Sequence, residues 1–128
     1  MSIGWAAAKC DDLANFVPAR LAGLIIVVAG LTGGSPLRGF KAMWRDARFH
    51  RSPNAGWPEA AMAGVLGLAL AGPRIYDGKM TADGWMNSGG RIEAGRGDIS
   101  NALRLYVAAC AVQSLLVAVL AAALWLRF

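Results

Sequence analysis

Two stretches of this chain gather side chains able to handle phosphate, metal ions and protons. The first is "DDLANFVPARL", in which Asp11, Asp12, Asn15 and Arg20 precede an apolar run. On a helix, Asp11 lies four residues and Asp12 three residues from Asn15, so all three share a face. Two carboxylates and an amide placed so could hold Mg²⁺, which takes a few carboxylates and fills its shell with water and phosphate oxygens. The same groups also suit helix capping, with Arg20 as an interfacial anchor. The second stretch is "RDARFHRSPNAGWPEAAMAG". Pro53 and Pro58 stiffen its backbone and Gly56 permits a sharp bend, so that Asn54 and Glu59 project from a rigid frame. Pro58 fits the first turn of a helix starting near Trp57, where free amides face an anion and the helix dipole favours the Glu59 carboxylate. His50 has no second histidine to work with and reads as a solvated or interfacial side chain.

The elements that must carry these groups are apolar. The chain has 128 residues, 56% of them hydrophobic and 16% charged, a balance that belongs to membrane proteins and not to a small soluble domain. Residues 105–126 hold the charge-free run "YVAACAVQSLLVAVLAAALWL". At 1.5 Å per residue it reaches about 30 Å, enough to cross a hydrocarbon core, with Arg104, Tyr106, Trp125 and Arg127 as anchors. Asp98 is the expected N-cap of that helix. Residues 21–34 and 60–72 form two shorter apolar segments. The first is read as a span or a re-entrant segment. The second is read as a helix packed on its neighbours through the small pairs Ala60–Gly64 and Ala63–Gly67.

Arg38, Lys41, Arg45 and Arg48 recur at steps of three, four and three, beside Leu37, Phe40, Met43, Trp44 and Ala47. That pattern predicts a basic amphipathic helix, lying in a membrane interface or holding a phosphate-bearing ligand. Ten of the thirteen Lys and Arg residues fall between Leu37 and Leu105, which assigns that long central loop to the cytoplasm. Turns are expected in it at Asp77-Gly78 and Asp83-Gly84. The expected fold is therefore an all-α integral membrane protein in one domain, residues 1–128. It has two to three transmembrane or partly inserted helices, the basic interfacial helix and the long cytoplasmic loop.

Several classes are excluded. There is no phosphate-binding G-x-x-x-x-G-K-[ST] loop, no dinucleotide fingerprint and no H-E-x-x-H. Cys10 and Cys110 make no disulfide framework or zinc site. A basic stripe beside apolar segments, without a soluble recognition fold, argues against nucleic acid.

Taken in order, "DDLANFVPARL", "RDARFHRSPNAGWPEAAMAGVLGLALAGPRIYDG", "GGR" and "DISNALRLY" resemble the adenosylcobinamide-phosphate synthase family of cobalamin biosynthesis, of the CobD/CbiB type. The resemblance runs from about Gly4 to Tyr106 and covers only the C-terminal part of such proteins. It implies a multi-pass enzyme of the bacterial inner membrane that joins adenosylcobyric acid to aminopropanol or its phosphate with ATP and Mg²⁺. The corrinoid is then a substrate, and a missing N-terminal half or another membrane subunit is a partner beside the bilayer. The site residues it suggests are Glu59, Asn54 and Asp46 for catalysis. Arg45, Arg48, Ser52, Arg20 and Asn15 are suggested for substrate and phosphate, and Asp11 and Asp12 for metal. The rival expectation is a non-catalytic membrane subunit serving assembly. One geometric condition applies. If residues 21–34 cross the membrane, the two motifs lie on opposite sides and share a site only where that segment re-enters or the site lies deep in the membrane.

Overall fold

The computed structural model describes residues 3–81 and 83–127. It opens with α1 (Ile3–Ala14) and α2 (Phe16–Ala29), a helical path broken at Asn15 and bent by 44°. Pro18 supplies the cause, because it has no amide to offer the Ala14 carbonyl and its ring crowds that turn. A 3-10 turn (Gly30–Thr32) and Gly33-Gly34 then reverse the chain into α3 (Pro36–Asp46). A second 3-10 turn (Ala47–Phe49) and the prolyl turn lead into α4 (Gly56–Leu66).

Glycines let these helices approach at backbone distance. A Cβ on Gly23 would stand 2.6 Å from the Met43 sulfur, and one on Gly39 would meet Val27 at 3.4 Å, so α2 and α3 run antiparallel. A Cβ on Gly64 would stand 2.5 Å from the Arg38 carbonyl oxygen and 2.7 Å from Ala42, while Gly56 abuts Ala47, so α4 is antiparallel to α3 in turn. Met43 and Val65, 1% and 2% exposed, fill the space left between them. The small residues of α4 thus pack it inside this chain. Two consecutive antiparallel steps bring the start of α2, the end of α3 and the start of α4 to one end of the layer. The two polar motifs meet there, with the apolar 21–34 segment folded back between them.

Beyond α4 the apolar run 60–72 is not one helix. Gly67, at φ 69°, ends α4 in a left-handed turn, and the chain continues as strands, which corrects the all-α expectation. β1 (Leu70–Ala71) pairs antiparallel with β4 (Trp85–Met86), and between them β2 (Arg74–Tyr76) pairs with β3 (Lys79–Thr81). Asp77 and Gly78, at φ 51° and 72°, form the tight hairpin turn expected of Asp-Gly. No turn forms at Asp83-Gly84. The reversal falls at Asn87–Gly89 instead, where Asn87 adopts φ 57°. Asn87 earns that strained position by its bonds. Its side-chain amide donates to the Ala63 and Leu68 carbonyls, and its backbone amide donates to Asp46 at 2.7 Å.

The basic helix α3 divides into three faces. Gly39, Ala42, Met43 and Asp46 are buried against α2 and α4; Leu37, Phe40 and Trp44 stay exposed beside the cationic stripe. It is thus a packed layer element, and Met43 and Ala47 belong to the core.

The last helix, α5 (Arg96–Trp125), carries the apolar run and is long enough to cross a bilayer. Among the described residues it is the one helix that meets this test alone; the bent α1–α2 pair meets it jointly. Only Leu105 and Ala109 of α5 are buried, against α2 and α4, and residues 113–127 are exposed. Gly95, and not Asp98, is the N-cap. The Asp98 carboxylate accepts the Gly95 amide at 2.7 Å and a two-pronged bond from Arg91. The Arg91 guanidinium first, then the Gly95 amide, lowers the Asp98 carboxyl to about 2. An unfolded aspartate titrates near ~3.9, so this clasp is in force above that value and is lost as pH falls towards about 2. Hydrogen exchange at the Gly95 amide, corrected for intrinsic rate, should lose protection across that window and not between pH 5 and 7. Equal protection at both ends would contradict the pairing.

Candidate functional site

The end of the helical layer encloses a groove of about 380 Å³ whose wall includes Arg20, Trp44, Arg48, His50, Arg51 and Trp57. Among the described residues no carboxylate lines it. Three arginines therefore line one space, and two of them, Arg20 and Arg48, form no ion pair among the described residues, an arrangement suited to an anionic ligand with several oxygens. A smaller cleft of about 130 Å³ at the far end of α2 presents only Arg104 as a charged group, so it offers far less to a polyanion.

Each arginine of the groove is held differently. The Arg20 guanidinium lies 3.4 Å from the Phe16 ring centroid and 4.4 Å from that of Trp57, and donates to the Phe16 carbonyl at 2.5 Å. Contacts with two rings and one carbonyl leave the remaining N–H edge to bind an oxyanion. Trp57 is braced by Trp44, edge to face at 5.6 Å, and Trp44 stacks on Phe40. Arg48 stands over the Phe49 ring at 5.1 Å. Arg51 reaches Asp83 at 3.5 Å, and the other oxygen of Asp83 is 3.4 Å from Arg74 without a well-directed hydrogen bond. Asp83 thus links the strand segment to the groove.

The turn that borders the groove is built by its own side chains. The Ser52 hydroxyl accepts the Asn54 and Ala55 amides, both at 3.3 Å. Asn54 is 7% exposed, and its side-chain amide donates to the Asp12 carbonyl at 2.8 Å, the bond that joins the two motifs. Because that bond fixes which end of the amide carries the hydrogens, the Asn54 carbonyl oxygen is buried with no partner among the described residues. His50 takes the Ser52 amide on Nδ1 at 2.9 Å and approaches Glu59 with Nε2 at 3.3 Å. Nδ1 is then the acceptor and Nε2 carries the hydrogen, close to the carboxylate but without a well-directed hydrogen bond to it.

Other predicted groups occupy different places. Asp46 is 3% exposed, outside the groove wall, and its oxygens take Arg45 at 2.6 and 2.7 Å and the Asn87 amide. Burial would raise its carboxyl, but the Arg45 bonds and the Asn87 amide outweigh that and hold it below the usual carboxylate range. Arg45 is correspondingly engaged with Asp46, which raises its guanidinium. Both thus fasten α3 to the strand segment. The Asn15 amide donates to Asp11 at 3.0 Å on the exposed face of the joint. No three His, Cys, Asp or Glu side chains converge as a metal cage among the described residues.

His50, which the sequence suggests is a solvated or interfacial side chain, lines the groove, and Arg51 and Asp83 join the groove and its border without having been expected there. For His50 and Arg51 the available signal was their position, at the mouth of the prolyl turn and on from the basic stripe. Asp83 carries no such signal, because its approach depends on the strand segment folding back.

Comparison with known proteins agrees with the order of the motifs. Residues 1–106 match the family described as CobD/Cbib protein. "Cobalamin biosynthesis protein CobD" of Rhodobacter capsulatus is 48% identical over 124 residues, covering 95% of this chain and 37% of that protein. The protein of the same name from Brucella suis is 53% identical over 103 residues (78% of this chain, 32% of the relative). That of Rhizobium meliloti is 44% identical over 117 residues (89% and 36%). The chain thus spans about a third of the length of these relatives. No solved structure matches it. With the match extending over most of the chain and including both polar motifs, the chain belongs to the CobD/Cbib family.

Proposed function

We propose that the chain serves cobalamin biosynthesis as the C-terminal portion of an adenosylcobinamide-phosphate synthase. In this reading it provides part of a membrane-interface site where adenosylcobyric acid and aminopropanol, or its phosphate, are joined in an ATP-dependent amide bond. The observation that carries the reading is the convergence of Arg20, Arg48 and Arg51 on one groove beside the Glu59 turn. Amide formation from a carboxylate requires activation as an acyl phosphate, and both that intermediate and a phosphorylated amine bring the oxyanions such a groove suits. Arg20 and Arg48 hold phosphate, with Arg51 beside them. Ser52 and Asn54 keep the turn in shape, and Glu59 accepts the proton the amine must lose. Asp11 and Asp12 would hold Mg²⁺, which supplies charge neutralisation for transferring phosphate when bound. Asn15 keeps Asp11 oriented, and Arg45 with Asp46 keeps α3 tied to the strand segment.

The site is completed by the remainder of the family protein, or by a separate subunit carrying it, in the bacterial inner membrane with the central loop in the cytoplasm. The exposed distal half of α5 then meets lipid and that partner. The rival assembly role drew on the small residues of α4, and Gly64 is already packed against Arg38 and Ala42 within this chain. The test is Glu59→Gln in the complete protein, assayed for ATP-dependent amidation of adenosylcobyric acid. Loss of a general base of this kind costs roughly 10²–10⁴-fold, with membrane insertion intact. Full activity would remove Glu59 from the site.

A further inference from the structure

We propose that His50 is a positioning residue for Glu59, an inference that rests on the role given to Glu59 above. His50 lines the groove, whereas Glu59 stands next to it through the imidazole. The ring is held at Nδ1 by a hydrogen bond, and Nε2 stands within ion-pair distance of Glu59. Ser52 donates its backbone amide to Nδ1 at 2.9 Å, which leaves the hydrogen on Nε2, 3.3 Å from Glu59 Oε2. Neither side chain is open to water along its whole length, at 23% and 29% exposed. The imidazole thus couples two things the chemistry needs together: the fold of the 50–55 turn and the orientation of one carboxylate oxygen. With Oε2 beside the imidazole, Oε1 remains to take a proton.

The proton balance is complete without any further reagent beyond the acyl phosphate and the amine. The ammonium gives one proton to Glu59 Oε1, and its freed lone pair forms the C–N bond at the acyl carbon. The acyl carbon–oxygen bond to phosphate breaks with its electron pair, and the departing phosphate takes the second nitrogen proton. His50 touches none of the reacting atoms in this scheme. It keeps Oε1 turned to the amine where a free glutamate would sample several rotamers.

The experiment uses the complete protein and compares His50→Ala, His50→Gln, Glu59→Gln and the double variant His50→Ala/Glu59→Gln. Glutamine carries a side-chain N–H that can replace Nε2, whereas alanine cannot. The expected result for His50→Ala is a fall of about 10–100-fold in kcat with KM for the amine within about twofold, since the lost group orients and does not bind. His50→Gln should recover most of kcat, and the double variant should be no slower than Glu59→Gln alone. Full activity of His50→Ala, or losses that multiply in the double variant, would overturn the proposal. If His50→Ala fails to insert, the glutamine variant decides: it must exceed a His50→Leu control, and equality of the two would overturn it. Full activity of Glu59→Gln would instead remove the catalytic reading on which the proposal rests.

Discussion

Gly56→Ala should unfasten the site more completely than any change to a charged side chain. A Cβ at Gly56 would overlap the Ala47 carbonyl oxygen and stand 2.8 Å from the His50 Cβ. The first obstacle is backbone within a 3-10 turn, so no rotamer change can relieve it. Overpacking a core costs about 1–3 kcal/mol, and a backbone obstacle places this substitution at or above the upper end. Relief requires α4 to separate from the end of α3, which moves Glu59 and Trp57 away from Arg48 and His50. The expected result is a lowered thermal midpoint in detergent and early proteolysis near Phe49–Ala55. Gly89→Ala is the control, because nothing lies within 4 Å of its Cβ position. Equal midpoints for the two variants would contradict the close approach.

Losing the arginines should leave the fold and remove the ligand. Arg20 is braced by two rings and a carbonyl and Arg48 by Phe49, and neither forms an ion pair among the described residues. Hydrogen bonds to charged groups contribute about 1.5–3 kcal/mol each. Arg20→Ala and Arg48→Ala should therefore each lower kcat/KM by roughly 10–100-fold. Arg20→Lys should recover little, because a lysine neither stacks flat between Phe16 and Trp57 nor offers a planar N–H edge. Arg45→Ala provides the contrast. It strips Asp46 of its partner and leaves a buried carboxylate on the Asn87 amide alone, so its effect should appear in stability.

The sequence makes the identity of the polar motifs plain and leaves their meeting undetermined. A run of twenty-one charge-free residues locates the apolar part of α5, which is long enough to cross a hydrocarbon core. It misplaces the end of α4, because Gly67, Leu68 and Ala69 are as apolar as what precedes them and only the left-handed conformation of Gly67 stops the helix. The strand pairs are two or three residues long and carry no alternating pattern, so they are visible only once formed. Arg45 and Asp46 look like free charges in one dimension. Their partnership, and the bond from Asn87 that completes it, requires a contact across forty-one residues. The Asn54–Asp12 bond spans forty-two. The fixed turn around Asn54 and Glu59, by contrast, is legible from local chemistry, since two prolines and a glycine stand close beside a carboxylate.

The central claim is that the α1–α2 joint and the prolyl turn form one anion-binding site for amide synthesis. The direct measurement is the steady-state rate of ATP-dependent amidation of adenosylcobyric acid, in the complete protein and in its Arg20→Ala and Arg48→Ala variants, with insertion verified. The account predicts that kcat/KM for the phosphate-bearing substrate falls in both variants, although the two arginines belong to different motifs. Unchanged kcat/KM in either variant would contradict it.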